Sequence, residues 1–392
     1  MPSGIWSAST LSSRSAEGRD VSDLLALAKR LIAYDTSQPD GIHEAAGFIK
    51  GWLEARGIEA TQGQCRGLPI ITASVGKSTD PALILHGHMD VVPAEAGQYE
   101  PRIEGDRLIG RGAYDMKAAL AAMMLAMPSP DEVPDGVRVI LGIVSDEESE
   151  EDVDRGSNQL AREMADGVFA ITGEPTNMHV GVAAKGVLAL RLGVAGRAAH
   201  GSTPWLGDNA VLRAVEMFRG VESLPFARQS SELFDRPSIN LGRIWGGDAL
   251  NKVPDYCAID VDIRFLPEQD HDEIRGEVLG LNPASVETIF AHPPVNVGSD
   301  SKWVAALIES IRATDPDVDG SSVSVGRDGA SDAVSFIRVG IPAVEFGPTG
   351  AGHHGPDEWV SISSLQAYEE TLRRFLAESS SAMTSEAAGT DD

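Results

Sequence analysis

Five short blocks gather imidazole and carboxylate side chains in a chain of 392 residues, and each follows the end of a predicted strand or a Gly-rich loop. The first is Leu83-Ile-Leu-His-Gly-His88-Met-Asp90-Val-Val-Pro93. Residues two apart on a strand share a face. His88 can therefore ligate a metal while Asp90 accepts its other ring N–H, as orienting carboxylates do; His86 reads as structural. The second block is Gly110-Arg-Gly-Ala-Tyr-Asp115-Met-Lys, where an Asp before a helix, taken alone, reads as an N-cap. The third is Ser145-Asp-Glu147-Glu148. Its consecutive acids point in different directions, so one can ligate while the next stays free as a base; alone, the run reads as a solvated loop. Thr172-Gly-Glu174-Pro175 is the fourth, and His353-His354-Gly-Pro-Asp-Glu358 the fifth.

Together these blocks supply nitrogen and oxygen donors, a mixture that suits Zn²⁺, Mn²⁺ or Co²⁺ better than Ca²⁺ or Mg²⁺. Two such ions, about 3.5–4 Å apart, need a carboxylate bridge and can jointly activate water and polarise a carbonyl. A phosphoesterase would need cations around the acids to hold phosphate, and the flanks of Glu147 are acidic instead.

The surrounding pattern is that of an α/β protein. Residues 21–57 carry apolar positions at helical spacing in two stretches, the second closed by Gly57. Ile70–Val75, Ala82–His86, Val137–Val144 and Phe169–Thr172 read as strands, with a Met/Ala/Leu helix over Met116–Met127. Strands alternating with helices indicate an α/β layer architecture, and ligands bind at the carboxyl ends of strands in such sheets. The pattern changes near Ala184. Val187–Val194 and Ala258–Phe265 alternate, the second with Asp260 and Asp262 facing out, as half-exposed antiparallel strands do. Ser238–Ile244 and Val286–Phe290 join them, with helices over Asn209–Arg219 and His271–Leu279. From Asp300 the chain returns to a helix (Trp303–Ile311), Gly-rich loops and a strand at Ala343–Phe346. The expected organisation is a disordered tail over 1–20, a larger domain over 21–183 and 295–378, an inserted domain over 184–294, and a disordered tail over 379–392.

The net charge of −27 argues against nucleic acid and anionic membrane surfaces as partners. No apolar run approaches the roughly 20 residues that span a bilayer, and residues 1–20 lack a basic start followed by an apolar block, so a cytoplasmic protein is expected. Cys65 and Cys257 are far apart and outside any CxxC pair, which predicts two buried free thiols.

The five blocks, in this order and over Leu24 to Leu376, resemble the M20 metallopeptidase family. That family includes acetylornithine deacetylase, succinyl-diaminopimelate desuccinylase, aminoacylases and carboxypeptidases. The resemblance implies a zinc-peptidase-like catalytic domain, with a mixed sheet flanked by helices, plus an inserted α+β lid and dimerisation domain. It implies two divalent ions, zinc foremost with cobalt or manganese as alternatives. His88 and Glu174 would ligate one ion, with Asp90 orienting His88; Glu148 and His354 would ligate the other. Asp115 would bridge them, with a cis peptide to Met116, and Glu147 would be the general base. In the inserted domain, His200 of the block Gly196-Arg-Ala-Ala-His200-Gly-Ser-Thr-Pro204 would donate to the oxyanion, reaching the partner's site in a homodimer. Asn251 and Arg264 would hold substrate. His43, His179, His271 and His292 fall outside the blocks and read as structural or surface.

The implied substrate is a small N-acyl amino acid or a peptide. The sequence around Gly340-Ile-Pro-Ala-Val-Glu-Phe-Gly-Pro348 is similar to the acetylornithine deacetylase and succinyl-diaminopimelate desuccinylase branch. Three positions depart from the desuccinylase pattern: Thr203 in place of Tyr, Ala330 in Gly329-Ala330-Ser331-Asp332 in place of Thr, and Gly350 in place of Asn. A dipeptidase or carboxypeptidase is the alternative.

Overall fold

The computed structural model describes residues 21–148, 154–298, 300–314, 324–327 and 332–389. The expected N-terminal tail and residues 329–331 of the Gly-Ala-Ser-Asp block lie outside them. In chain order the elements are α1 (Val21–Ile32), α2 (Pro39–Glu54), β1 (Glu59–Cys65), β2 (Leu68–Val75), β3 (Ala82–His88), β4 (Arg102–Glu104) and β5 (Arg107–Ile109). Then come α3 (Lys117–Ala126), β6 (Arg138–Val144), α4 (Gly156–Glu163), β7 (Gly167–Thr172), β8 (Val180–Ala184), β9 (Gly186–Ala195), α5 (Ala210–Val221), β10 (Ser238–Gly246) and β11 (Tyr256–Phe265). The chain closes with α6 (His271–Leu279), β12 (Ser285–His292), β13 (Val295–Asn296), α7 (Lys302–Thr314), β14 (Ser324–Arg327), α8 (Ala333–Ile337), β15 (Ala343–Glu345), β16 (Gly350–Ala351), β17 (Trp359–Ser361) and α9 (Ile362–Gly389).

Among the described residues the strands form three sheets. The largest is mixed and has the order β1-β2-β6-β3-β7-β15-β8-β13, with β14 paired to β8. Its centre is parallel: β3 lies between β6 and β7, and β15 runs beside β7. Every residue of β3 is buried, as the continuous apolar run requires. Helices α3, α7 and α9 pack on this sheet, α1 lies against α3 and α9, and α2 packs on β1 and β2; all ten residues of α3 are buried, Lys117 included.

A second sheet, β10-β11-β9-β12, is antiparallel throughout. Leu188, Leu190 and Leu192 of β9 and Ile259, Val261 and Ile263 of β11 pack with Ala214, Phe218 and Ile274 into a separate core. The outward face is less open than the alternation predicts. Asp260 is only 8 % exposed, because Arg191 forks onto its two oxygens at 2.8 and 3.0 Å. A third small sheet, β16-β17-β5-β4, ties the chain near Arg107 to the chain near Trp359.

The last helix runs past the boundary expected at 378. Helix α9 continues to Gly389, and Ser379 and Ser380 are buried. Leu365, Tyr368, Leu372 and Phe375 anchor its earlier turns in the main core, and extending an existing helix is far easier than starting one. Cys65 is also half-buried rather than buried; both thiols are free. Among the described residues no helix is long and apolar enough to cross a membrane.

Candidate metal centre

The parallel register sets three of the five blocks side by side. His88 ends β3 opposite Val144 of β6, so Ser145–Glu148 leave the sheet beside it. His86 is opposite Thr172 of β7, which brings Glu174 to the other flank. The remaining two blocks arrive on loops attached to the small sheet: Asp115 follows β5, and His354 precedes β17.

Asp115 joins the two halves. Its Oδ1 lies 3.1 Å from His88 Nε2, and its Oδ2 lies 3.4 Å from His354 Nε2. Glu174 Oε1 is 4.0 Å from His88 Nε2, and Glu148 Oε1 is 3.0 Å from His354 Nε2. The donor atoms of His88, Asp115 and Glu174 all lie within 4.8 Å of one another, as do those of Asp115, Glu148 and His354. Asp115 is not an N-cap: α3 begins at Lys117, capped at Met116 without a side-chain hydrogen bond. The Asp115–Met116 peptide is cis.

Asp90 differs in detail from its expected role. The ring Nδ1 of His88 is 3.0 Å from the backbone oxygen of Asp90 and 3.6 Å from its carboxylate. The carboxylate turns instead to the backbone N–H of Glu148, at 2.9 Å, so Asp90 braces both the His88 strand and the Glu147–Glu148 loop. His86 packs edge-on against Phe336 and stands 4.0 Å from Asp332; burial pushes its pKa down to about 4.

The electrostatics are those of acids crowded into a partly closed space. Burial and the charges of Asp332, Asp90 and Glu148 push the Glu147 carboxyl up to about 8, against the pull of His88. Burial raises Glu148 and Glu174 as well, each with Asp115 adding to the shift. Burial would raise Asp115 too, but hydrogen bonds from His354 and His88 hold it below the usual carboxylate range. The same contact with Asp115 lifts His354 to about 9. Glu174 Oε1 and Asp90 Oδ1 are buried without a hydrogen-bond partner, an arrangement that costs free energy unless a cation compensates it. The donor set, the shared carboxylate and the orphaned oxygen at Glu174 all fit a pair of divalent ions.

His200, Asn251 and Arg264 stand apart from this cluster. His200 Nδ1 is 2.7 Å from Ser202 Oγ in its own exposed loop, and Gly201 N donates to Asn251 O at 2.7 Å. Arg264 Nε donates to Asp262 at 3.1 Å. Among the described residues, no hydrogen bond or ion pair links these three to His88, Asp115 or His354. Sequence reasoning left Arg155, 3.5 Å from Glu147, without a role; no motif marks it. It also left Arg111 and Glu358 unassigned, although both stand inside the second and fifth blocks. Of the three departures from the desuccinylase pattern, one has a steric cause. A Cβ at Gly350 would lie 2.4 Å from Trp359 O and 2.5 Å from the Tyr114 ring, so no larger residue fits there.

A model of peptidase family M20/M25/M40 matches residues 84–378, which take in every candidate ligand from His88 to His354. The chain belongs to this family. M20 membership makes it a metal-dependent hydrolase. A provisionally named succinyl-diaminopimelate desuccinylase of Mycobacterium tuberculosis is 30 % identical over 311 residues, 75 % of this chain and 82 % of that protein. The succinyl-diaminopimelate desuccinylase of Gluconacetobacter diazotrophicus is 28 % identical over 90 % of this chain and 96 % of its own. Among solved structures, a tripeptidase from Staphylococcus aureus superposes with a TM-score of 0.75 at 21 % identity, covering 92 % of this chain and 99 % of that one. Aminopeptidase PepT from Bacillus cereus gives a TM-score of 0.75 at 20 % identity, covering 92 % and 98 %. These M20 structures share the mixed α/β fold.

Proposed function

We propose that this M20 hydrolase cleaves the amide bond of a small N-acyl amino acid, of the acetylornithine deacetylase or succinyl-diaminopimelate desuccinylase kind. The observation that carries the reading is Asp115, whose two oxygens face two separate donor sets at 3.1 and 3.4 Å. His88, Asp115 and Glu174 hold one divalent ion; Asp115, Glu148 and His354 hold the other. Zinc is the favoured metal, with cobalt or manganese as alternatives. Bound there, such ions lower the pKa of water and polarise a carbonyl. Glu147 takes a proton from the attacking water and passes it to the leaving nitrogen as the C–O bond forms and the C–N bond breaks. Asp90 keeps His88 and the Glu147 loop in register.

Residues 21–183 and 295–378 form the catalytic domain in this reading, and 184–294 form a lid that also pairs two copies. Strand β10 is an edge strand, and Trp205, Leu206, Leu212, Trp245 and Leu250 are exposed on the same segment; both features favour a homodimer. His200 of one copy then donates to the oxyanion in the other, with Asn251 and Arg264 gripping substrate. Two free thiols agree with a cytoplasmic setting.

The relatives named as desuccinylases favour the deacylase reading; the structural likeness to a tripeptidase favours a dipeptidase or carboxypeptidase as the second. The test is release of product from N-succinyl-diaminopimelate, N-acetylornithine and a dipeptide panel by the metal-loaded enzyme. Turnover of dipeptides alone would decide for the second reading. Glu147→Gln should lower turnover by about 10²–10⁴ with metal content unchanged. Near-parent rates in a fully metallated variant would overturn the assignment of the base.

A further inference from the structure

We infer that Arg111 and Glu358 form a latch that positions the Asp115–Glu148–His354 metal site. The inference rests on the two-ion reading above and names what builds the second position.

Glu358 is 1 % exposed. Its Oε1 accepts from the backbone N–H of Tyr114 (2.9 Å) and Asp115 (3.0 Å). Its Oε2 accepts from Gly112 N (3.0 Å) and Arg111 Nη1 (2.6 Å). A carboxylate offers about four lone-pair sites, and all are taken, so Glu358 orients the Asp115 loop and is not itself a ligand. Arg111, 3 % exposed, turns its other nitrogen to the second loop: Nη2 donates to His354 O and Gly355 O, each at 3.2 Å. One buried ion pair thus binds the bridging carboxylate's loop to the turn that carries His354. Charge-assisted contacts of this kind are the strong ones, and the fork of arginine can serve both loops where a lysine cannot.

The two metal positions depend on the latch unequally. His88 stands at the end of β3, clamped between β6 and β7, and Glu174 follows β7; among the described residues no hydrogen bond or ion pair links either to Arg111 or Glu358. His354 has a 49 % exposed side chain and a left-handed backbone with φ 61°. Packing does little to hold it. Loss of Arg111 should therefore loosen the second position and spare the first. Loss of Glu358 should loosen the Asp115 loop, which serves both.

The test is Co²⁺ titration of the chelator-stripped full chain, followed by calorimetry and by the visible d–d spectrum, for the parent, Arg111→Met, Arg111→Lys and Glu358→Gln. In Arg111→Met one equivalent should keep its affinity within about twofold and the other should weaken about 10–100-fold, the range typical of orienting partners of metal ligands. Arg111→Lys, which is the more certain of the two to fold, should fall between. Glu358→Gln should weaken both equivalents. Two equivalents bound at parental affinity in the Arg111 variants would overturn the latch alone. Equal weakening of both in Arg111→Lys would also overturn it, since that is general damage. A parent chain that takes up a single equivalent would sink the two-ion reading, and the latch with it.

Discussion

Stripped of metal, Glu147→Gln should unfold later than its parent at pH 9 and level with it at pH 4. The Glu147 carboxyl is pushed from 4.5 to about 8, by burial first and then by Asp332, Asp90 and Glu148. A raised carboxyl keeps its proton in the folded chain while the unfolded chain has already lost it. The parent's stability is therefore intact below about 4.5, falls as pH rises through the window to about 8, and is lowest above it. At about 1.4 kcal/mol per unit the full shift is worth roughly 5 kcal/mol. The side chain keeps 27 % of its surface in solvent, and Arg155 at 3.5 Å returns part of the loss; a figure on the order of 2 kcal/mol is the reasonable expectation after that discount. Gln has the same shape and no charge, so it escapes the loss. The assay is denaturant unfolding of both proteins in chelator at pH 4, 5, 7 and 9. A variant-minus-parent difference that stays constant over that range would refute the reasoning. Saturating metal should abolish the variant's advantage at pH 9, because cations hold the ionised form.

Mixing two inactive proteins, Glu147→Gln and His200→Ala, should restore about a quarter of the parental sites if the subunits pair at random and His200 acts across the two-fold axis; no recovery in verified heterodimers would rule out action in trans. The charge of −27 repels itself in the compact state, so the Tm should climb with KCl past 0.5 M as screening shortens to about 3 Å at 1 M; a flat series would show that self-repulsion is not limiting. Asn209 caps α5 by accepting from Val211 N and Leu212 N. Asn209→Ala should cost about 0.5–2 kcal/mol in unfolding experiments while Asn209→Ser costs little, and equal losses would discount the cap.

The strand-end blocks were legible in the sequence because a buried parallel strand writes itself as an apolar run, and the acids at its end then stand out. β3 and β6 are of this kind. Strand β1 is not: Glu59–Cys65 is an exposed edge, and its polar residues hide any alternation. The small sheet was equally hidden, since β4, β5, β16 and β17 are two or three residues long. That matters for the site, because this sheet carries the Asp115 and His354 loops. Asp115 itself reads locally as a cap, and only its distant partners His88 and His354 decide otherwise. The paired arrangement of Arg111 with Glu358 spans 247 residues of chain, beyond any local pattern. The hydrogen bond of His88 to the Asp90 backbone, rather than to its carboxylate, is a matter of tenths of an ångström that spacing does not encode.

The long reach of Glu358 also fixes an order of events at the ribosome. The N–H of Asp115 waits for a carboxylate made 243 residues later. At synthesis rates of about 5–20 residues per second, that is a delay on the order of 10–50 s. β3 and β7 can pair in the meantime, so His88 and Glu174 come together early; the shared carboxylate between the two histidines is secured only when the last tenth of the chain emerges. Until Glu358 has emerged, the Asp115 loop lacks the carboxylate that accepts from its backbone N–H groups.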